Sequence, residues 1–293
     1  MAIKRTSGER IFDACNAGFL VILSLTTIYP FLYVAFASVS EASRMVAHTG
    51  LLLAPYGFDL GAFRMVRENP MIGVGYYNTA IYLAIGTCLN LLLTTFAAYG
   101  LSRKEFLWKK PLTFFIVFTM FFSGGLIPFF LLVKSLGLVN TRAALILPTA
   151  VNTWNFLVMR TYFASIPQSL EESARMDGAG DFRILFRIMV PLAFPVVAVM
   201  ILFYGVAHWN AWFHGMIFLR NRELYPLQLV LREILISSST DNMLTDVSSL
   251  DKEPVAETVK YATIMAATVP ILFVYPFLQK YFVKGMMIGA IKE

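Results

Sequence analysis

An all-α, polytopic membrane protein of six transmembrane helices is the fold class this sequence predicts, and three observations predict it. Of 293 residues, 58% are hydrophobic and only 14% are charged, against roughly 25% charged in soluble domains. The apolar residues collect in continuous runs close to the roughly 20 residues a helix needs to cross the hydrocarbon, without the alternation a membrane β-barrel requires. Lysines and arginines gather beside those runs, so the formal net charge of +6 reads as topology signals and anionic-lipid contacts, not as a nucleic-acid surface. A single membrane domain, 1–293, accounts for nearly the whole length. Cys15 and Cys88 are the only cysteines, which excludes a disulfide framework and a cysteine metal site.

The first run, about Ala17 to Ser38, follows Lys4, Arg5 and Arg10 and contains Pro30, a break that spans tolerate. It exceeds the ~7–15-residue core of a signal peptide, although Ala35 and Ala37 imitate a cleavage site. From Glu41 to about Gly73 the chain is mixed, punctuated by Pro55, Gly57 and Pro70, and reads as a loop outside the bilayer. A second span covers about Val74 to Tyr99, and Arg103, Lys104, Lys109 and Lys110 then make a short basic loop that belongs in the cytoplasm. The third, about Leu112 to Val133, holds Ser123, Gly124, Gly125 and Pro128, which permit close packing or a bend. The fourth covers about Ala144 to Met159, the fifth about Met189 to Ala207 and the sixth about Tyr261 to Tyr281, with a polar region up to about Thr258 before the last. An even count puts both termini on one side. Lys280, Lys284 and Lys292 match the basic amino end, so the termini and a central loop, 165–187, are expected in the cytoplasm.

That loop opens a charged, Gly-broken stretch from Glu171 to Leu192. Pro167 suits the first turn of a helix, Ser169 and Glu172 have capping-box spacing, and Gly178 with Gly180 supplies a stop. Asp181 can cap a second helix through Phe182, Leu185 and Ile188, up to Pro191. Leu170 and Ala174 fall one turn apart, and the small pair Ser173 and Ala174 lets another backbone approach. Such a surface suits docking better than chemistry, with an ordinary amphipathic hairpin as the plainer alternative.

Glu172, Ser173, Ala174, Gly178, Ile188, Val190 and Pro191 have the order and spacing of the EAA loop of ABC importer permeases, which this stretch resembles. Ser173 replaces the usual Ala and Val190 the usual Leu, both within the same size class. The stretches Leu51 to Leu60, Ala97 to Arg103 and Tyr281 to Lys292 are also similar to carbohydrate-uptake permeases of the polysaccharide and oligosaccharide type, so the resemblance covers nearly the whole chain.

The resemblance implies a type I importer permease with six helices in the bacterial inner membrane. It also implies partners: a second permease in a heterodimer, two ATPase subunits on the cytoplasmic side and an extracytoplasmic solute-binding protein. No Gly-rich loop ending in Lys-Ser or Lys-Thr occurs, so the chain is expected to be no enzyme and to hold no cofactor, ATP and Mg being used by the partner ATPases. Glu171, Glu172, Ser173, Ala174, Asp177, Gly178 and Ala179 become the ATPase-coupling residues, the acids meeting basic groups and the small residues removing bulk. The competing reading is that the acids merely solvate the loop.

A sugar pathway needs aromatic faces beside amide or imidazole groups in a mostly apolar cavity. Asn152, Trp154 and Asn155 in the fourth span qualify, as do Tyr204, His208, Trp209, Asn210 and Trp212 at the outer end of the fifth. For each Trp an interfacial belt is the alternative, and for His208 and His214 a hydrated loop histidine. Arg220, Arg222 and Arg232 on the outer side could attract an anionic saccharide, with Glu223 and Glu233 nearby to offset them. Acidic saccharides, uronate chains of the alginate kind, thus stand open beside neutral oligosaccharides. A secondary transporter or channel is the rival function, but the span cores contain almost none of the ionisable residues that couple ions. A membrane enzyme is the other, and no paired carboxylates or metal-spaced set supports it.

Overall fold

The computed structural model describes residues 6–46, 48–244, 257–273 and 276, and every helix or strand among them is a helix. In chain order these are α1 (Ser7–Ser38), α2 (Ala42–Val46), α3 (Gly61–Glu68), α4 (Pro70–Ser102), α5 (Lys109–Phe121), α6 (Leu126–Ser135), α7 (Ala143–Ile146) and α8 (Thr153–Ser165). There follow α9 (Gln168–Met176), α10 (Asp181–Ile184), a π-turn (Leu185–Met189), α11 (Val190–Leu192), α12 (Phe194–Trp209), α13 (Trp212–Phe218), a 3-10 turn (Arg222–Leu224) and α14 (Leu227–Leu244). Residues 257–273 form α15. The remainder of the expected sixth span, with Lys280 and Lys284, lies outside the described residues, as do the carboxyl-terminal similarity at 281–292 and Lys4 and Arg5. The chain divides into two compact units, Met1–Asn69 with Glu233–Val269, and Pro70–Arg232 with Pro270–Glu293.

In the first unit, α1 starts at a capping box: the Thr6 N–H donates to Glu9 Oε2 (2.8 Å) and the Glu9 N–H to Thr6 Oγ1 (3.4 Å). Along its apolar length the hydroxyls of Ser24, Thr26 and Thr27 donate to the carbonyls of Leu20, Ile22 and Leu23 at 2.7, 2.9 and 2.9 Å. These hydroxyls therefore need no outside partner, which is what hydrocarbon demands. The expected loop after it is more ordered than its composition predicts. Tyr29 Oη accepts from the Leu52 N–H (3.0 Å), and Ala37, Met45 and Leu52 bury together against Tyr33, Phe36 and Tyr261. Pro70 does not mark a turn there; it opens α4, where its missing N–H is no loss.

The second unit is built on α4, which packs against α8 and α12. A stripe of small and polar residues, Gly75, Asn78, Thr79, Tyr82, Gly86, Asn90 and Thr94, runs down one face of α4 at one-turn spacing. Asn78 Nδ2 donates to the carbonyls of Glu223 (2.6 Å) and Tyr225 (3.2 Å), Tyr82 Oη donates to the Leu224 carbonyl (2.7 Å), and Thr79 Oγ1 accepts from the Leu227 N–H (2.8 Å). The irregular backbone at 223–227 is thereby satisfied by side chains of α4. Below it, Tyr99, Phe156, Phe163, Ala174, Ile184, Met189 and Met200 share one core, joining α4, α8, α9, α10 and α12.

Three expected spans are broken, the fifth, about Met189 to Ala207, by an 85° bend between Leu192 and Phe194. The third bends by 120° between α5 and α6, where Gly125 has φ +86° and its N–H donates to Ser123 Oγ (3.2 Å). The fourth is not continuous from Ala144 to Met159: α7 ends at Ile146, Pro148 supplies no N–H, and Asn152 starts α8 by accepting from the Asn155 N–H (3.1 Å). Among the described residues, α1 and α4 are long and apolar enough to cross a membrane, and the bent pairs α5 with α6, and 181–192 with α12, make four if each is one span.

A Cβ added at Gly75 would stand 3.0 Å from the Leu227 Cα and 3.3 Å from its N, whereas one added at Gly73 meets nothing within 4 Å. Gly75→Leu is predicted to destabilise the purified protein by about 1–3 kcal/mol through overpacking, and Gly73→Leu to leave it close to wild type. Thermal unfolding in detergent measures both; equal midpoints for the two variants would refute the close approach.

Candidate functional site

The stretch 168–192 folds as an elbow. Gly178, at φ +76°, ends α9 in a left-handed conformation that favours glycine. Its N–H donates to the Arg175 carbonyl (3.0 Å) and the Ala179 N–H to the Ala174 carbonyl (2.9 Å), the two hydrogen bonds of a Schellman turn. The expected glycine stop is in place. The expected capping box is not, because α9 begins at Gln168 with Pro167 as its N-cap, so Ser169 already lies within the first turn. Asp181 is likewise no cap. It is the first residue of α10, and its carboxylate accepts from Arg175 Nη2 (2.7 Å). Downstream, the wider π-turn precedes Pro191, whose ring and missing N–H an α-turn accommodates poorly. The chain then bends by 85° into α12.

Glu171 turns its carboxylate inward. It is only 5% exposed. Its Oε2 is paired with Arg103 Nη1, and its Oε1 accepts from Arg175 Nη2 (3.1 Å) and Tyr99 Oη (3.2 Å). Arg103 is itself held. Its Nε and Nη2 donate to Ser102 Oγ (3.0 and 2.8 Å), Nη2 donates to the Phe163 carbonyl (3.2 Å), and the guanidinium lies 4.8 Å from the Tyr99 ring centroid. Burial alone would raise the Glu171 carboxyl, but the Arg175 hydrogen bond, the Arg103 charge and the bonds from Arg103 and Tyr99 outweigh it and hold the group below the usual carboxylate value.

Ala174 also turns inward, into the shared core, with Ala179 packed against that core. Of the residues expected to serve docking, Glu172, Ser173, Asp177 and Gly178 remain on the outer surface. Met176, which sequence reasoning passed over, is 89% exposed among them.

The second region is a cavity of about 520 Å³. Asn152, Trp154, Asn155, Tyr204, His208 and Asn210 all line it, so two stretches far apart in sequence converge on one space. Asn90, Thr149, Phe203, Phe213 and His214 also contribute, and no Lys, Arg, Asp or Glu does among the described residues. Asn152 and Trp154 sit at the start of α8, not in mid-span. Trp209 and Trp212 lie off the cavity: Trp209 meets the Tyr76 ring at 6.4 Å, and Trp212 lies 4.6 Å beneath the Arg232 guanidinium. Helical spacing explains the split, since Tyr204 and His208 share a face that Trp209 does not. His208 is no hydrated loop residue; it is 4% exposed within α12. His214 is stacked among Phe129, Phe213 and Phe218.

The family model for the binding-protein-dependent transport system inner membrane component matches residues 72–288. The chain belongs to this family. The permease is 41% identical, over 97% of its length and 99% of the relative's, to the polygalacturonan/rhamnogalacturonan transport system permease protein YtcP of Bacillus subtilis. It is 39% identical to Protein LplC of the same organism, over 98% of this chain and 97% of that one. Among solved structures it is similar to a chain in the crystal structure of a bacterial ABC transporter involved in the import of the acidic polysaccharide alginate. That match has a TM-score of 0.86 and 35% identity, and covers 96% of this chain and 100% of the other. The fold is that of a type I ABC permease.

Arg103 and Tyr99 escaped sequence reasoning as partners of Glu171 because nothing local links positions that far apart. A cation directly at the end of an apolar run is the signal that was present. Gly86 and Asn90 carried another: small and polar residues one turn apart inside an otherwise apolar span.

Glu171→Gln leaves the Arg103 charge without its counter-ion, and a loss of about 3–5 kcal/mol is predicted for the permease near neutral pH. Because the folded carboxyl is held low, its contribution is fully present above the ordinary value of about 4.3 and disappears as pH falls through the lower folded value. Thermal midpoints of wild type and variant should therefore converge in acid. A gap of constant size from neutral pH into that acid range would contradict the pairing.

Proposed function

We propose that the permease is one membrane half of an ATP-driven importer, and that its elbow transmits the closure of partner ATPases to a saccharide pathway. In this reading the chain makes six spans with both termini in the cytoplasm, and loop 165–187 meets the ATPase pair, which binds ATP and Mg. A second permease completes the pathway and an extracytoplasmic binding protein delivers the solute. The observation that carries the reading is the two-sidedness of α9. Its inner side is fastened by Glu171 and Ala174, while Glu172, Ser173, Met176 and Asp177 stand outward together. A helix fixed on one side and presenting acids and a bare methionine on the other is built to receive a push and pass it on.

The saccharide pathway is the cavity beside α4, α8 and α12. Trp154 and Phe213 supply ring faces, and Asn155 and His208 supply polar edges. An acidic oligosaccharide is the proposed cargo, by analogy with the polygalacturonan and alginate systems named for its relatives. With no Lys or Arg in its lining among the described residues, this cavity reads hydroxyls and ring faces, so the uronate charge is met outside it.

Gly178→Pro tests the elbow. Proline cannot adopt φ +76° and removes the N–H that reaches the Arg175 carbonyl. Uptake of labelled oligogalacturonate by the assembled transporter in proteoliposomes is predicted to fall at least about tenfold, as expected for strain and a lost bond together worth more than about 1.4 kcal/mol, with the variant still membrane-inserted. Wild-type uptake by correctly assembled variant complexes, or full uptake with no ATPase present, would refute the reading.

A further inference from the structure

Most polar groups around the cavity are already committed to the protein. Tyr204 Oη is hydrogen-bonded to Thr94 Oγ1 (2.7 Å) and accepts from the Asn152 N–H (3.2 Å). Asn152 Oδ1 caps α8, and Asn210 Nδ2 donates to the Val206 carbonyl (3.0 Å). His208 differs, because its neighbours determine which of its two nitrogens is left over.

The His208 ring lies against α4 at Gly86, where an added Cβ would come within 2.4 Å of Nε2 and 2.5 Å of Cε1. Only glycine leaves that space. One turn along the same face, Asn90 Nδ2 donates to the Thr149 carbonyl at 2.9 Å. A carbonyl oxygen accepts and never donates, so the amide nitrogen of Asn90 has to be on that side. Its Oδ1, an acceptor, is then the atom 3.2 Å from His208 Nε2. The imidazole must donate there. An imidazolium at 4% exposure, in a cavity that no carboxylate lines among the described residues, would be an uncompensated charge, so the ring is neutral and its single proton is on Nε2. Nδ1 keeps its lone pair and has no hydrogen-bond partner among the described residues.

We propose that the Thr149–Asn90–His208 relay fixes His208 as a hydrogen-bond acceptor for the cavity, and so makes it a specificity-determining residue that takes a saccharide hydroxyl and turns a carboxylate away. This rests on the cavity being the substrate pathway. A hydroxyl donates to a bare imidazole nitrogen, whereas a uronate carboxylate is itself only an acceptor and meets repulsion. The relay therefore orients each sugar ring, its hydroxyl edge toward α12 and its charged edge elsewhere. Gly86 and Asn90 act through His208 and are positioning residues.

The test uses the whole transporter, with both permeases, the ATPases and the binding protein, in lipid bilayers. Nitrogen NMR of the histidine-labelled permease reads the tautomer, with the His208 signal identified by its loss in His208→Gln. The proton is expected on Nε2 in wild type and shared between both nitrogens in Asn90→Ala. Uptake is then measured with trigalacturonate and with its methyl ester, which has the same hydroxyls and no charge. His208→Gln retains a donor toward Asn90 but places no acceptor at the position of Nδ1, its amide oxygen lying elsewhere, and is expected to raise KM about five- to tenfold for both probes, the effect falling on KM and not kcat. Gly86→Ala, which displaces the ring, is expected to do the same. A proton on Nδ1, or a KM that rises for the charged probe alone, overturns the proposal. If the proton is on Nε2 but neither His208→Gln nor Asn155→Ala changes KM, the pathway assignment is what has failed, and the proposal falls with it.

Discussion

A carboxylate removed from water must be neutralised where it lies, and the architecture of this permease turns on how that is done for Glu171. The charge is met from three directions, by Arg103 beyond the end of α4, by Tyr99 within α4 and by Arg175 one turn along its own helix. Leaving Glu171 or Arg103 unpaired in this poorly hydrated site costs several kcal/mol, so α9 and the end of α4 are tied to each other by the pair. The elbow is joined to α8 and α10 by the chain itself. The ion pair adds a third connection, and it runs to the helix that organises the rest of the unit. A force on the outer face of α9 thus reaches the neighbourhood of the cavity through α4 as well as through α12.

α4 is suited to carry it. Its small and polar stripe holds the 223–227 backbone near one end, His208 in the middle and, through Thr94, Tyr204 below that. Two glycines set how closely other groups approach, Gly75 against the Leu227 backbone and Gly86 against the His208 ring. Hydrocarbon offers no hydrogen bonds, and packing between apolar helices carries little directional information. Specific polar contacts along one helix therefore supply register and orientation that hydrophobicity alone does not.

What could be read from the residues alone was what depends on near neighbours or on composition. The glycine stop at 178 was legible because a left-handed helix end is a local requirement. The bend at Ser123 to Gly125 was legible because those residues weaken any helix. Asn152 and Asn155 in one place, and Tyr204, His208 and Asn210 in another, were legible by their chemical character, polar and aromatic residues in apolar surroundings; that the two places line one space was not, because nothing local links them. The capping box failed because Pro167 shifted the helix start by displacing the cap from Ser169. The direction in which Glu171 points was hidden for a different reason: in a short amphipathic helix an acid is ordinarily an outward residue, and only Arg103, distant in sequence, reverses that. Trp209 and Trp212 were grouped with the cavity by composition, and helical phase separated them from it.

Tied by the Glu171–Arg103 pair, α9 and the end of α4 are predicted to move as one body. With Cys15 and Cys88 replaced by serine, spin labels at Lys104 and Ser169 report the separation of those elements by pulsed electron resonance in the assembled transporter. The predicted result is one unchanged distance distribution in the resting state and with the ATPase pair trapped closed. A shift of that distribution on ATPase closure would contradict the account.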